Sequence, residues 1–232
     1  MRDKIVVFAP HPDDETLGCG GTIAKKSEEG HEISVVFLTD GRNCLKELGV
    51  LKPSPLELKE IRKREAKRAA EILGVPSENL IFLDIEDGML RDNKRTAQEK
   101  ITEVLTTFPK SVYLPQEREF HVDHRVTNHL VRTAIRKINF LPFEHQYIIA
   151  WRYPLNLLSR VRPEHIQDII MSRILRQNII HEDISNFLCK KSAALKEYQS
   201  QLMVLSREQK RPALKRCFLK GFLKRSETFF VK

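Results

Sequence analysis

Five short apolar runs alternate with four stretches of helical periodicity over residues 4–151, and nothing else in the chain constrains its fold as strongly. The runs cover 4–9, 33–38, 80–83, 111–114 and 146–151. Each is short and rich in β-branched or aromatic residues, as a buried strand requires. Helices are expected between them at 16–29, 55–73, 93–108 and 125–138. Gly30 stops the first helix. Ser54, Pro55 and Glu57 make a capping box with proline at the first helical position, and Gly74 with Pro76 ends that helix. Ala97, Ile101, Val104, Leu105 and Phe108 share one face of the third. Strands joined by helices run parallel. The expected class is therefore α/β: a Rossmann-like, doubly wound, mostly parallel sheet of about five or more strands with helices on both faces, plus a C-terminal helix and basic tail.

After residue 151 the pattern weakens. The stretch 154–177 has no single period, 179–187 reads as an edge strand, and 189–205 reads as a helix with Leu188, Leu195, Leu202 and Leu205 near heptad spacing. The formal charge is +9, and eight Lys/Arg against Glu208 place +7 of it between 207 and 225, leaving about +2 elsewhere. That asymmetry divides the chain into a domain, 1–206, and a basic extension, 207–232. The extension suits an anionic membrane surface or an acidic partner, with a solvated basic face as the plain alternative; nucleic acid is not expected. At 41% hydrophobic and 31% charged, the composition is that of a soluble globular protein, not a disordered or fibrous one. No apolar run approaches the roughly 18–20 residues of a membrane span, and residues 5–9 are too few for a signal-peptide core. A cytoplasmic address, or one peripheral to a membrane, is expected. The four cysteines form no C-x-x-C pair and receive no chemical role.

The chemistry gathers at two strand ends. Ala9-Pro10-His11-Pro12-Asp13-Asp14-Glu15 closes the first run and precedes Gly18-Cys19-Gly20-Gly21; His121-Val122-Asp123-His124 follows the fourth. In an open α/β sheet, ligands bind at the carboxyl ends of strands, and the doubly wound order makes strands one and four neighbours. Two histidines and a carboxylate from these loops would form a three-ligand site with a position left open, as in catalytic zinc, and the set also suits non-haem iron. Asp13 beside Asp14 allows one carboxylate to bind metal and the other to accept a proton. His121 is a spare group for proton donation or oxyanion stabilisation, with Asp123 orienting its ring. The competing reading of an Asp-Asp pair is a helix cap and dipole partner. Thr39-Asp40-Gly41 either lines the pocket or turns the chain. Trp151 and Tyr153 form a sugar-stacking wall or pack in the core. His31, His129, His145, His165 and His181 are expected to be structural.

These motifs resemble the LmbE-like, or PIG-L, de-N-acetylase family. The first stretch is similar to its A-H-P-D-D-E signature and 121–124 to its H-x-D-H; Arg62, Glu65 and Leu73-Gly74 match an R-x-x-E…L-G helix, and 191–201 a K-x-x-A-L…S-Q segment. The resemblance covers roughly 4–205. It implies a zinc-dependent hydrolase, with one zinc per chain and ferrous iron as an alternative, removing acyl groups from a small N-acetylglucosamine-type conjugate. It implies His11, Asp14 and His124 as metal ligands and Asp13 as general base. His121 would stabilise the oxyanion or protonate the leaving group, supported by Asp123. Arg62, and with a looser match Asp87, would contact substrate. The loop 42–55 departs from the family pattern, so no substrate contact transfers there. Two other classes compete: a non-catalytic sugar- or nucleotide-binding protein with a basic docking tail, and a metal-dependent phosphoesterase, which usually needs more ligands.

Overall fold

The computed structural model describes residues 2–50, 52–149 and 178–231. The strands are β1 (Lys4–Ala9), β2 (Glu32–Thr39), β3 (Leu80–Ile85), β4 (Ser111–Pro115), β5 (Phe143–Tyr147), β6 (Asn178–Asp183) and β7 (Ser226–Val231). They form one seven-stranded sheet in the order β3-β2-β1-β4-β5-β7-β6. The first five run parallel, and β7 is antiparallel to both β5 and β6. The helices are α1 (Asp14–Glu28), α2 (Pro55–Ile72), α3 (Lys94–Leu105), α4 (Val122–Ile138) and α5 (Leu188–Glu197).

Alternation along β1 shows why helices cover both faces. Ile5, Val7 and Ala9 enter one core with Leu17 and Ile23 of α1, Ala66 and Ala69 of α2, and Ala194 and Leu195 of α5. Val6 and Phe8 enter the other with Ala97, Ile101 and Leu105 of α3 and Val126, Leu130 and Val131 of α4. Successive side chains of a strand point to opposite faces, so one continuous apolar run feeds two cores. The expected capping box of α2 forms: Ser54 Oγ accepts from Glu57 N, and Glu57 accepts from Ser54 N at 2.8 Å.

Several boundaries differ from the pattern reading. The fifth strand is 143–147, not 146–151; Glu144, His145 and Gln146 hide it from an apolar-run criterion, yet it pairs with β4 from Ser111↔Phe143 to Pro115↔Tyr147. Helix α4 starts three residues early, so Asp123 and His124 lie in its first turn. The expected helix 189–205 breaks at Tyr198 (ψ 55°) and resumes for one turn, Gln199–Leu202. The largest difference concerns 207–232. Its last strand, β7, lies inside the sheet between β5 and β6, and Phe218, Phe222 and Phe229 join the core of α1 and α2. That stretch is thus part of the same packed unit as α1. The segment 154–177, His165, Trp151 and Tyr153 lie outside the described residues. Among the described residues, no helix is long and apolar enough to cross a membrane.

Candidate active site

Four parallel strand ends converge on one cleft. The turn after β1 carries His11, Asp13 and Asp14, and the turn after β2 carries Gly41 and Asn43. Asp87 and Gly88 follow β3, and His121, Asp123 and His124 follow β4. Of these, His11, Asp13, Asp14, Asn43, Asp87, Gly88, His121 and His124 line a cavity of about 450 Å³, together with Gln201, Leu214 and Phe218. β1 and β4 are direct neighbours, so the two motifs meet although over a hundred residues separate them.

Asp14 is the hub. Its Oδ2 lies 3.1 Å from His11 Nδ1 and 3.2 Å from His124 Nε2, and it accepts from His11 N at 3.0 Å. Burial opposes ionisation of Asp14, but His124 and His11 override it and hold the carboxyl far below its ordinary range. His11 is clamped from its other side as well: Nε2 lies 3.1 Å from Asp87 Oδ1 and 3.4 Å from Asp123 Oδ2. Burial works against charge on His11, yet Asp87, Asp123 and Asp14 together raise its pKa well above that of a free imidazole. Asp87 and Asp123 are correspondingly lowered, against burial, chiefly by His11.

Asp13 stands apart from this cluster. It is the N-cap of α1, yet its side chain caps nothing. Its φ of 133° is rare for a non-glycine residue and costs roughly 1–3 kcal/mol. Two buried partners hold it there: Arg62, whose Nη2 lies 3.1 Å from Asp13 Oδ2, and Glu15, whose Oε2 accepts from Asp13 N at 3.1 Å. Glu15 is itself fixed by the hydroxyls of Thr16 and Tyr198. Burial pushes the Asp13 carboxyl up to about 8 in spite of Arg62. Arg62 also donates to Gly41 O at 3.1 Å and to Pro12 O. At Gly41 (φ 64°) any side chain would collide with that guanidinium. Arg62, which the sequence suggested as a substrate contact, lies in the cavity wall with its guanidinium bonded to Asp13, Gly41 O and Pro12 O.

His121 caps α4, with its Nδ1 accepting from Asp123 N at 3.3 Å. Its ring sits exposed at the rim, 4.7 Å edge-on from that of His11. Burial of its inner edge and the neighbouring His11 and His124 hold it down to about 4. Asp123 therefore positions His121 through its backbone; its carboxylate instead faces His11 and accepts from Gly88 N at 2.9 Å. The sequence suggested that the Asp123 carboxylate orients the His121 ring; the hydrogen bond between the two runs from Asp123 N instead.

The donor set fits a metal ion. His11, His121 and His124 each offer a nitrogen within 4.8 Å of one another, and His11, Asp87 and Asp123 likewise. Separations of 3.1 and 3.2 Å about Asp14 bring His11, Asp14 and His124 close enough together to share one ion. His124 Nδ1 and Asp123 Oδ1 are buried with no hydrogen-bond partner among the described residues, which is costly unless an ion or water meets them. All the donors are nitrogen or oxygen, as suits a catalytic site better than a closed structural one.

The sequence pattern assigns no role to Glu15, which closes the first signature, to Lys191 and Tyr198, which lie in the 191–201 segment, or to Glu227. Their contacts span long separations, which short-range spacing does not reveal. Lys191 Nζ, fully buried, donates to Glu227 Oε1 at 2.6 Å and Leu17 O at 2.8 Å. Glu227 in turn accepts from Gly21 N, Thr22 N and Thr22 Oγ1 at 2.8, 2.8 and 2.6 Å. The glycine cluster permits this close docking of α1: a Cβ at Gly18 would lie 2.6 Å from the Tyr147 ring.

Comparison with known proteins agrees with this geometry. The family profile described as PIG-L, GlcNAc-PI de-N-acetylase, matches residues 6–135. Diacetylchitobiose deacetylase of Thermococcus kodakarensis is 30% identical over 201 residues, 85% of this chain and 70% of that one. A probable N-acetyl-alpha-D-glucosaminyl L-malate deacetylase 2 of Bacillus anthracis is 26% identical over 220 residues, 90% of this chain and 86% of that one. The solved N,N'-diacetylchitobiose deacetylase from Pyrococcus horikoshii has the same fold, with a TM-score of 0.66 at 22% identity, covering 99% of this chain and 84% of that one. With the profile spanning more than half of the 232 residues and its two signatures meeting in one cleft, the chain belongs to the PIG-L, or LmbE-like, de-N-acetylase family.

Proposed function

We propose that this chain is a zinc-dependent amidohydrolase that removes an N-acetyl, or other N-acyl, group from an N-acetylglucosamine-type sugar conjugate. One observation carries the reading. Asp13 is buried, held at φ 133° and paired with Arg62, and it stands beside the His11–Asp14–His124 cluster rather than within it. A binding module has no use for a strained, separately supported carboxylate at that point. The substrate class is supported by the relatives, one named for diacetylchitobiose and another for an N-acetylglucosaminyl conjugate.

His11, Asp14 and His124 would hold the zinc, and the same donors suit ferrous iron. When bound, such an ion polarises an acyl oxygen and makes a nearby water more acidic. Asp13 accepts the proton of the attacking water, and Arg62 keeps its carboxylate fixed. His121, at the rim, stabilises charge developing on the acyl oxygen or assists protonation of the departing amine, which takes up the proton that Asp13 removed from the water. Asp123 holds the His121 ring through its backbone N–H, and its carboxylate steadies His11. Asp87 lines the same cavity and is available to a sugar hydroxyl. The products are acetate, or another acylate, and a free amino sugar.

The test is acetate release from a panel of N-acetylglucosamine conjugates by protein loaded with zinc or iron, before and after chelation. Asp13→Asn should retain its zinc, measured by elemental analysis, and lose about 10²–10⁴ in kcat. Near-normal turnover by that variant would remove Asp13 from the role of base. Sugar binding with no release under any metal would favour the non-catalytic alternative.

A further inference from the structure

The loop between β2 and α2, which departs from the family pattern, borders two cavities. One is the cleft already described. The other, of about 390 Å³, is bounded by Leu45, Val50, Pro53 and Leu58 on its apolar side and by Arg42 and Glu86 on its polar side. Asn43 and Lys46 line both, so the cavities adjoin at these two residues.

The cations around them differ sharply in commitment. Arg62 is taken up by Asp13, Gly41 and Pro12. Arg42 is paired with Asp40 at 2.5 Å and lies 3.5 Å from Glu86. Lys46 is exposed, and its ammonium has no hydrogen bond or ion pair among the described residues. Its base is nonetheless fixed. Leu45, Val50 and Leu58 are buried together, with Leu48 and Ala213 packed on them, and Gly49 (φ 69°) closes the turn Lys46–Leu48. Ala213 brings the basic stretch against this loop, and the next residue, Leu214, donates to Gln201 O at 2.8 Å and lines the first cavity. Ala213 and Leu214, within the basic stretch, thus lie against the loop that carries Lys46 and in the wall of the cleft.

We infer that the second cavity receives the aglycone of the conjugate, and that Lys46 recognises an anionic group, carboxylate or phosphate, carried by that aglycone close to the sugar. The inference rests on the deacetylase reading and narrows its substrate class. An apolar chamber entered past a single uncommitted ammonium selects a ligand whose charge lies at the linkage and whose apolar portion lies beyond it. A neutral disaccharide would leave that ammonium unpartnered.

Three matched substrates test this: phenyl and 2-carboxyphenyl N-acetylglucosaminide, the latter with its carboxylate beside the linkage, and N-acetylglucosamine 1-(phenyl phosphate). The wild-type protein should favour the better anionic substrate over the neutral one by about tenfold in kcat/KM, mainly through KM, as one charge-assisted contact predicts. The preference should narrow as salt rises. The charged-to-neutral ratio should fall to near one in Lys46→Gln and invert in Lys46→Glu. The anion giving the larger ratio identifies the linkage. A ratio unchanged in both variants, or a wild-type preference for the neutral substrate, overturns the inference. The same ratio is read as binding constants by calorimetry on zinc-loaded Asp13→Asn protein. A Lys46-dependent preference there, with no acetate release by the wild type, would sink the deacetylase reading and leave the anion site standing.

Discussion

Replacing either member of the Lys191–Glu227 pair should reveal how tightly the end of the chain holds its beginning. Removing one partner of a buried ion pair typically costs about 3–5 kcal/mol, because the survivor is left charged and dry. The two sides here are unequal. Without Lys191, Glu227 keeps three neutral donors from Gly21 and Thr22. Without Glu227, the Thr22 hydroxyl loses its buried acceptor and the Lys191 ammonium retains only Leu17 O. Each stranded buried donor costs about 1–3 kcal/mol. Lys191→Met should therefore cost about 3 kcal/mol and Glu227→Met at least about 5 kcal/mol. For a chain of this length, about 2–4 °C of Tm is lost per kcal/mol, so Lys191→Met should melt about 6–12 °C lower. The double variant, with no charge left behind, should cost less than the sum of the two. Urea denaturation followed by circular dichroism gives all three values. Equal or reversed costs for the single variants, or strict additivity in the double, would refute the argument.

Two further outcomes follow from buried charge. Arg62→Met should lower kcat about 10²-fold by releasing the Asp13 carboxylate, and Arg62→Lys should not restore it, since one ammonium cannot reach Asp13, Gly41 O and Pro12 O together; recovery by lysine would contradict the positioning role. His145 is stacked on Tyr113 (4.5 Å, 17°) and near Phe229, and burial holds its pKa down to about 4 from an ordinary 6.5. Between those values the unfolded chain binds the proton and the folded one does not, so stability is full above about 6.5 and falls as pH drops toward 4, by at most ~3 kcal/mol. His145→Phe should flatten that slope between pH 7 and 4.5 in urea titrations, and an unchanged slope would remove His145 as its source.

The parts legible in the sequence were those written in short-range pattern. The apolar runs of β1 to β4, the Ser54–Glu57 box and the three-residue spacing of His11 and Asp14 all act within a few residues, where periodicity and capping chemistry apply. Parallel order then brought His124 to Asp14 without any need to see the contact. Two strands escaped because their composition follows partners rather than propensity. In β5 Glu144 and His145 are half-buried and Gln146 is fully buried, and β7 places Glu227 in a buried strand, where Lys191, the Gly21 and Thr22 amides and the Thr22 hydroxyl make it tolerable. The charge excess of 207–225 drew attention from a strand beginning one residue later. Asp123 was assigned to the wrong ring because the start of α4 decides which way its carboxylate turns.

The contacts that spacing could not reveal converge on one element. Helix α1 begins at the strained Asp13, where Arg62 and the Glu15–Tyr198 pair fix its first turn. One to two turns later Glu227 grips Gly21 and Thr22, and Lys191 grips Leu17 O. In the proposed reaction this carboxylate must meet the attacking water within a fraction of an ångström, which a helix free to slide would not allow. The unfavourable φ of Asp13 is stable only because these distant residues over-determine the helix that follows it. The same grip explains the three glycines at 18, 20 and 21: side chains there would push α1 off Tyr147, Lys191 and Ile184, and carry the base out of line with the cluster it serves.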